Sequence, residues 1–275
     1  MTDFSTLAGR PTKITARGFG WTRSGRTQPA LADIDLVIEP GERVLLCGDS
    51  GSGKSTFLAA IAGVLGSDEE GTRAGEILLE DSTGAVEEPG HSIPVGLVLQ
   101  DPDSQVISAR VGDDIAFGCE NLAYPREEIW RRVAAAKDLV GPFVDLDFPT
   151  ERLSGGQKQR LALAGVIAMG AGVVLLDEPT ANLDPAGARD VVRAVSALVE
   201  ETGATLVVVE HQHTAWEGLL DRAVEIAHGR IVADGPFEQI ARRRRVEELP
   251  QARELGDGAA RELSLIHISE PTRRT

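Results

Sequence analysis

Apolar positions along the chain fall into two patterns. Residues 14–16 and 34–38 alternate apolar with polar, as in Ile34-Asp35-Leu36-Val37-Ile38, the period of half-exposed antiparallel strands, and predict a small β layer. Residues 43–47 (Arg43-Val44-Leu45-Leu46-Cys47) are instead a continuous apolar run ending in glycines, followed over 55–65 by helical periodicity with Gly66 as the expected stop. Strands are predicted at 75–79 and 94–99, with the acidic, turn-rich stretch 80–90 between them as a surface excursion. Residues 126–140 place Ile129, Val133, Ala136 and Val140 on one side, an amphipathic helix in a helix-rich insert reaching about Thr150. Beyond it come a helix at 161–169, a buried strand at 173–176, a helix at 186–202, a buried strand at 206–209 and a strand pair at 222–226 and 230–233. Continuous β-branched strands alternating with helices imply an α/β fold, a mainly parallel sheet covered on both faces.

Charge narrows the partners. With 43 acidic against 28 basic residues the net charge is −15, which opposes binding to a polyanion, and no nucleic-acid partner is expected. No apolar run approaches the ~20 residues that cross a bilayer, and the first twenty residues lack the cationic start and apolar middle of a secretory signal. A cytoplasmic location follows as the expectation, with any membrane contact made through another chain. Cys47 and Cys119 stand in apolar surroundings without metal-ligand spacing and read as buried free thiols. The run 242–245 reads as a solvated helix end, with anionic lipid or a partner as the alternative. Residues 264–275 (SLIHISEPTRRT) break from the acidic composition before them and are expected to be a non-native or disordered tail.

The chemistry concentrates at strand ends. Gly48-Asp49-Ser50-Gly51-Ser52-Gly53-Lys54-Ser55-Thr56 matches G-x-x-x-x-G-K-[ST] and lies between a predicted buried strand and a helix. Its glycines let successive N–H groups turn inward toward an anion, Lys54 would reach the β- and γ-phosphates, and the Ser55 hydroxyl would hold Mg²⁺. Val173-Val174-Leu175-Leu176-Asp177-Glu178 is a buried strand ending in two carboxylates, which an apolar strand avoids unless a cation awaits them. Asp177 is placed to bind Mg²⁺ opposite Ser55, and Glu178 to orient and deprotonate an attacking water.

Leu153-Ser154-Gly155-Gly156-Gln157-Lys158-Gln159-Arg160 is a second anion-binding turn at a helix start, and it resembles the LSGGQ signature of ABC ATPases. The resemblance covers about residues 12–240. It implies a P-loop NTPase core with an antiparallel β subdomain and an ABC-type helical subdomain at about 101–160, and a C-terminal extension at 241–263. It also implies that Ser154, Gly155, Gly156 and Gln157 face the γ-phosphate of an ATP held by a second ABC ATPase subunit, in a homodimer or heterodimer. Trp21 resembles the aromatic that stacks on adenine, with a core tryptophan as the alternative, and Gln100 the glutamine that touches Mg²⁺ and the water. Ala181-Asn182-Leu183-Asp184 is similar to the loop that crosses the dimer interface, and His211 resembles the switch histidine on the γ-phosphate. His213 has no such support.

Gln100-Asp101-Pro102-Asp103-Ser104-Gln105, with Asp113-Asp114-Ile115-Ala116-Phe117-Gly118 and Glu120-Asn121-Leu122, resembles the energy-coupling factor group. That implies import of a vitamin or metal ion, at the cytoplasmic face of the membrane, with a transmembrane scaffold and a separate substrate-capture membrane protein. Residues 100–107 would line the groove that accepts a scaffold helix. The alternative is a soluble ABC ATPase in DNA repair or translation, but there is no sustained heptad and no basic face. A non-hydrolysing cassette would lack Glu178, Ser154 or His211, and all three are present.

Overall fold

The computed structural model describes residues 7, 9–66, 70–141, 144–211 and 213–247; the expected tail at 264–275, and the extension from 248 onward, lie outside the described residues. The elements run β1 (Lys13–Arg23), β2 (Leu31–Ile38), β3 (Arg43–Cys47), α1 (Lys54–Ile61), β4 (Gly71–Glu80), β5 (Val86–Glu87), β6 (Val95–Val98), α2 (Val111–Asn121) and α3 (Arg126–Leu139). They continue as α4 (Gly155–Met169), β7 (Val173–Asp177), α5 (Pro185–Thr202), β8 (Thr205–Val209), β9 (Arg222–Ala227), β10 (Arg230–Pro236) and α6 (Phe237–Glu247).

Two sheets carry the fold. An antiparallel sheet has the order β2-β1-β4-β5, and a larger one the order β10-β9-β3-β8-β7-β6. In the second, β9, β3, β8, β7 and β6 pair in parallel and only β10 runs against its neighbour. The unbroken apolar strands follow from two-sided burial. Leu45, Val174, Leu176, Leu206 and Val208 point into the helix-covered core. Val44, Leu46, Val173, Leu175, Val207 and Val209 point into the core shared with the antiparallel sheet and α1. Each fully buried Val or Leu contributes roughly 1.5–3 kcal/mol relative to exposure, so neither face tolerates the polar residue that alternation would bring.

Local chemistry sets the helix ends. Asp184 caps α5 by accepting the Gly187 N–H at 2.7 Å, Pro185 fills the first turn, and Gly203 ends the helix in the left-handed conformation. Its buried Val191, Ala194, Val195 and Leu198 form the expected apolar stripe. The expected helix at 55–65 is shorter. α1 stops at Ile61, where Gly63, at φ 72°, donates to Ala60 and Val64 donates to Ala59, so Gly63 rather than Gly66 is the terminator. A Cβ on Gly63 would come within 2.4 Å of the Gly90 nitrogen, so the end of the helix is set by a loop close in space.

α2 and α3 fall within 101–160, where a helical lobe is expected, and both pack on α4. α6 begins before the expected domain end at 240 and runs past it, burying Phe237, Ile240 and Ala241 in the helix-side core. Cys47 and Cys119 are buried free thiols, each pushed up to about 11 chiefly by desolvation. Among the described residues no helix is long and apolar enough to cross a membrane.

Candidate nucleotide site

Strand order brings the candidate residues together. β3, β8, β7 and β6 are successive neighbours and run in parallel, so their C-terminal ends emerge along one edge of the sheet. From those ends leave, respectively, the phosphate loop, Glu210 with His211, Asp177 with Glu178, and Gln100.

The phosphate loop is built around its glycines. Gly48 has φ 137°, and a Cβ there would lie 2.1 Å from the Ile226 carbonyl oxygen; Gly53 has φ 110°, with Ala30 O 2.6 Å away. Lys54 is 5% exposed, and its Nζ donates to the carbonyls of Gly48 and Asp49, both at 2.9 Å. Burial lowers the Lys54 pKa, against the opposing pull of the Glu178 and Asp177 charges.

Asp177 is held above the usual carboxylate range by desolvation, opposed by a hydrogen bond from Ser55. The pair offers one carboxylate and one hydroxyl, and among the described residues no cluster of three or more His, Cys, Asp or Glu side chains forms a metal cage. Hard oxygen donors that leave most positions to water and phosphate suit Mg²⁺.

Glu178 departs from the strand with φ 48°, a left-handed conformation that turns its side chain off the β7 line at a cost of about 1 kcal/mol. Its carboxylate is held at both oxygens. Gln100 Nε2 donates to Oε2 at 2.9 Å, and His211 Nε2 stands 3.1 Å from Oε1, within hydrogen-bond distance. The three expected catalytic residues are thus one hydrogen-bonded cluster, assembled from positions 78 and 33 residues apart in sequence.

Ser154 caps α4 in a capping box: its Oγ accepts the Gln157 N–H at 3.4 Å while its own N–H donates to Gln157 Oε1 at 2.8 Å. Gly155 and Gly156 face Leu183, in the loop before α5. Among the described residues no hydrogen bond or ion pair joins Ser154–Gln157 to the phosphate loop of this same chain. Instead α4 reaches the segment after β6, with Lys158 paired to Asp103 and Gln159 Nε2 donating to Leu99 O at 3.2 Å.

Trp21 combines features of both readings. It borders a cavity of about 780 Å³ together with Ser55 and Thr56, yet it is 7% exposed and belongs to the core between the sheets. Its ring packs so close to Gly71 that a Cβ there would lie 2.3 Å from Cζ2, which leaves little of the indole open for stacking. One buried group went unassigned in the sequence. Glu210, 4% exposed, accepts the Thr180 hydroxyl at 2.5 Å and the His211 backbone N–H at 2.9 Å, joining His211 to the turn after Glu178. The signal was available: an acid ending an all-apolar strand, the same logic that marks Asp177.

A mainly parallel sheet with a glycine-lysine loop at the end of one strand and paired carboxylates at the end of another defines the P-loop NTPase fold class. The particular family is the ABC transporter family: its model matches residues 31–181, and the chain belongs to it. An ABC transporter ATP-binding protein of Methanosarcina acetivorans is 39% identical over 82% of this chain and 35% of its own length. The energy-coupling factor transporter ATP-binding protein EcfA1 of Caldanaerobacter subterraneus is 38% identical over 78% of this chain and 76% of its own. Among solved structures, cbiO1 from Clostridium perfringens, part of the ABC transporter complex cbiONQ, superposes with a TM-score of 0.71 at 31% identity, over 90% of this chain and 98% of that one. The chain spans 35–39% of the length of the Methanosarcina relatives it matches.

Proposed function

We propose that this chain is the ATP-hydrolysing subunit of an energy-coupling-factor-type importer of a vitamin or metal ion, working at the cytoplasmic face of the membrane. The carrying observation is Glu178 held at both carboxylate oxygens by Gln100 and His211, beside a buried Lys54 in the phosphate loop. The importer reading is supported by the names of the EcfA1 relatives and by the description of cbiO1. Those names do not favour DNA repair or translation.

In this reading the loop N–H groups and Lys54 bind the ATP phosphates, and Ser55, Asp177 and Gln100 would hold Mg²⁺, which would supply positive charge against the phosphates. Glu178 accepts a proton from the water that attacks the γ-phosphorus, and the bond to the bridging oxygen breaks to leave ADP and phosphate. His211 and Gln100 fix the carboxylate for that transfer. Ser154 to Gln157 serve the nucleotide of a second subunit, with the 181–184 loop beside them at the interface. A transmembrane scaffold helix would rest against the lobe around Leu99, Ile107, Phe117 and Trp130, all at least 38% exposed, with a substrate-capture protein on the scaffold.

Glu178→Gln should lower ATP turnover by about 10²–10⁴-fold while retaining ATP. With ATP and Mg²⁺ it should elute from gel filtration as a dimer. Unchanged turnover would remove Glu178 from its role, and equal ATP binding by Lys54→Ala would remove the phosphate loop from its own.

A further inference from the structure

Within the basic run expected to be solvated, Arg244 is turned inward. Arg244 lies on α6 with its side chain 12% exposed, and its guanidinium bridges two acids. Nη1 donates to Glu225 Oε1 at 2.7 Å, and Nη2 to Asp49 Oδ1 at 3.1 Å. Arg243 pairs with the other oxygen of Glu225. Glu225 is itself buried on β9 and stands in register with Cys47, the last residue of β3 before the phosphate loop. Two arginines on one buried acid thus anchor α6 at the root of that loop, and Arg244, the more buried of the two, alone extends to Asp49. A planar fork is needed to hold two carboxylates at once, which an ammonium cannot reproduce.

Asp49 has a distinct position. Its side chain is 92% exposed, so nothing in the fold requires a carboxylate there, and it sits in the loop that receives a polyanion. A negative charge at that point opposes phosphate binding. The Arg244 charge also reaches deeper: it acts with Lys54 and Arg243 to hold the Cys47 thiol down against its burial, and with burial to lower Lys54. Glu225, Arg243 and Arg244 lie beyond the segment that matches the family, residues 31–181, whereas Asp49 lies inside it.

We infer that Arg244 is a positioning residue for nucleotide binding: anchored on Glu225, it holds and neutralises Asp49, so that α6 sets the affinity of the phosphate loop for ATP. The inference rests on the proposed role of residues 48–56 as the ATP site.

The test is a double-mutant cycle on the full chain, reading Mg-ATP affinity by titration calorimetry together with steady-state kinetics. Arg244→Gln keeps a hydrogen bond to Glu225 and leaves Arg243 in place, so the protein should fold, as its urea midpoint will show. Its Kd for ATP should rise about fivefold, the upper range for a partly exposed ion pair. The loss should fall on KM, with kcat at saturating ATP changed less than about twofold. In an Asp49→Asn background the same substitution should change Kd by less than about 1.5-fold. Arg244→Lys should recover only part of the loss. Wild-type affinity in Arg244→Gln, or an equal loss in the Asp49→Asn background, overturns the inference. Wild-type protein that fails to bind ATP at all would instead overturn the proposed function, so the two failures are distinguishable.

Discussion

A methyl group on Gly48 would lie 2.1 Å from the carbonyl oxygen of Ile226, whereas one on Gly155 or Gly156 would meet nothing closer than 3.8 Å. The two glycine-rich loops of this chain resemble one another in sequence and differ in what demands their glycines. In the phosphate loop, left-handed φ values and close backbone approach make glycine a condition of this chain's own fold. In the turn at the start of α4 the backbone conformation is ordinary and space is open. There glycine costs helix stability with no return inside the subunit. A residue type that the fold does not require, at a helix N-terminus, points outward to something that must approach the backbone closely. The comparison teaches that one loop needs its glycines for the chain's own fold and the other does not, which is what the proposed contact with a second subunit's nucleotide would require.

The comparison can be broken by substitution. Gly48→Ala should cost roughly 3–5 kcal/mol of stability, from strained φ and overpacking together, and should abolish ATP binding with it; urea denaturation and nucleotide titration would show both. If that variant were stable, the phosphate-loop half of the argument would fail. Gly156→Ala should do the opposite, with unchanged or slightly raised stability, by at most about 1 kcal/mol, and unchanged ATP binding to the isolated subunit. Its turnover should nonetheless fall at least tenfold, because the added methyl blocks the approach of a γ-phosphate held elsewhere. Full turnover in Gly156→Ala would mean that the glycine serves nothing outside the chain. The smallest effect belongs to Ser154→Ala, which removes the cap of α4 at a cost of about 1 kcal/mol, or 2–4 °C in Tm for a chain of this size. A turnover loss far beyond that stability change would separate the phosphate-facing role of the hydroxyl from its capping role.

Much of this was legible in the linear chain because the signals are local. A continuous apolar run means a strand buried on both faces wherever it lies, and β3, β7 and β8 each appear within a residue or so of expectation. Asp184, Pro185 and Gly203 delimit α5 through bonds among neighbours. The phosphate loop is likewise a short segment whose glycines and lysine act together. Arg243 and Arg244 were misread for the opposite reason. A run of arginines looks solvated unless an acid lies across from it, and Glu225, on the neighbouring β9, becomes that partner only through packing. Trp21 was open in the sequence for a related reason, since an aromatic near a nucleotide loop and an aromatic in a core have the same letter, and pairing of β1 with β4 places its ring on Gly71.

What the sequence determined by itself was the kind of chemistry: a phosphate cradle, a carboxylate pair at the end of a buried strand, and a capped glycine turn, each set by residues close enough along the chain to fix one another's geometry. What only the tertiary structure decided was their assembly. Gln100, Glu178 and His211 meet because β6, β7 and β8 lie side by side and parallel, and Arg244 reaches Asp49 because α6 folds back onto β9. Strand order and helix docking depend on which apolar faces bury one another across long stretches of chain. Hydrophobic burial has no direction, so the pattern of residues specifies that faces are covered but leaves the choice of neighbours to the packed whole.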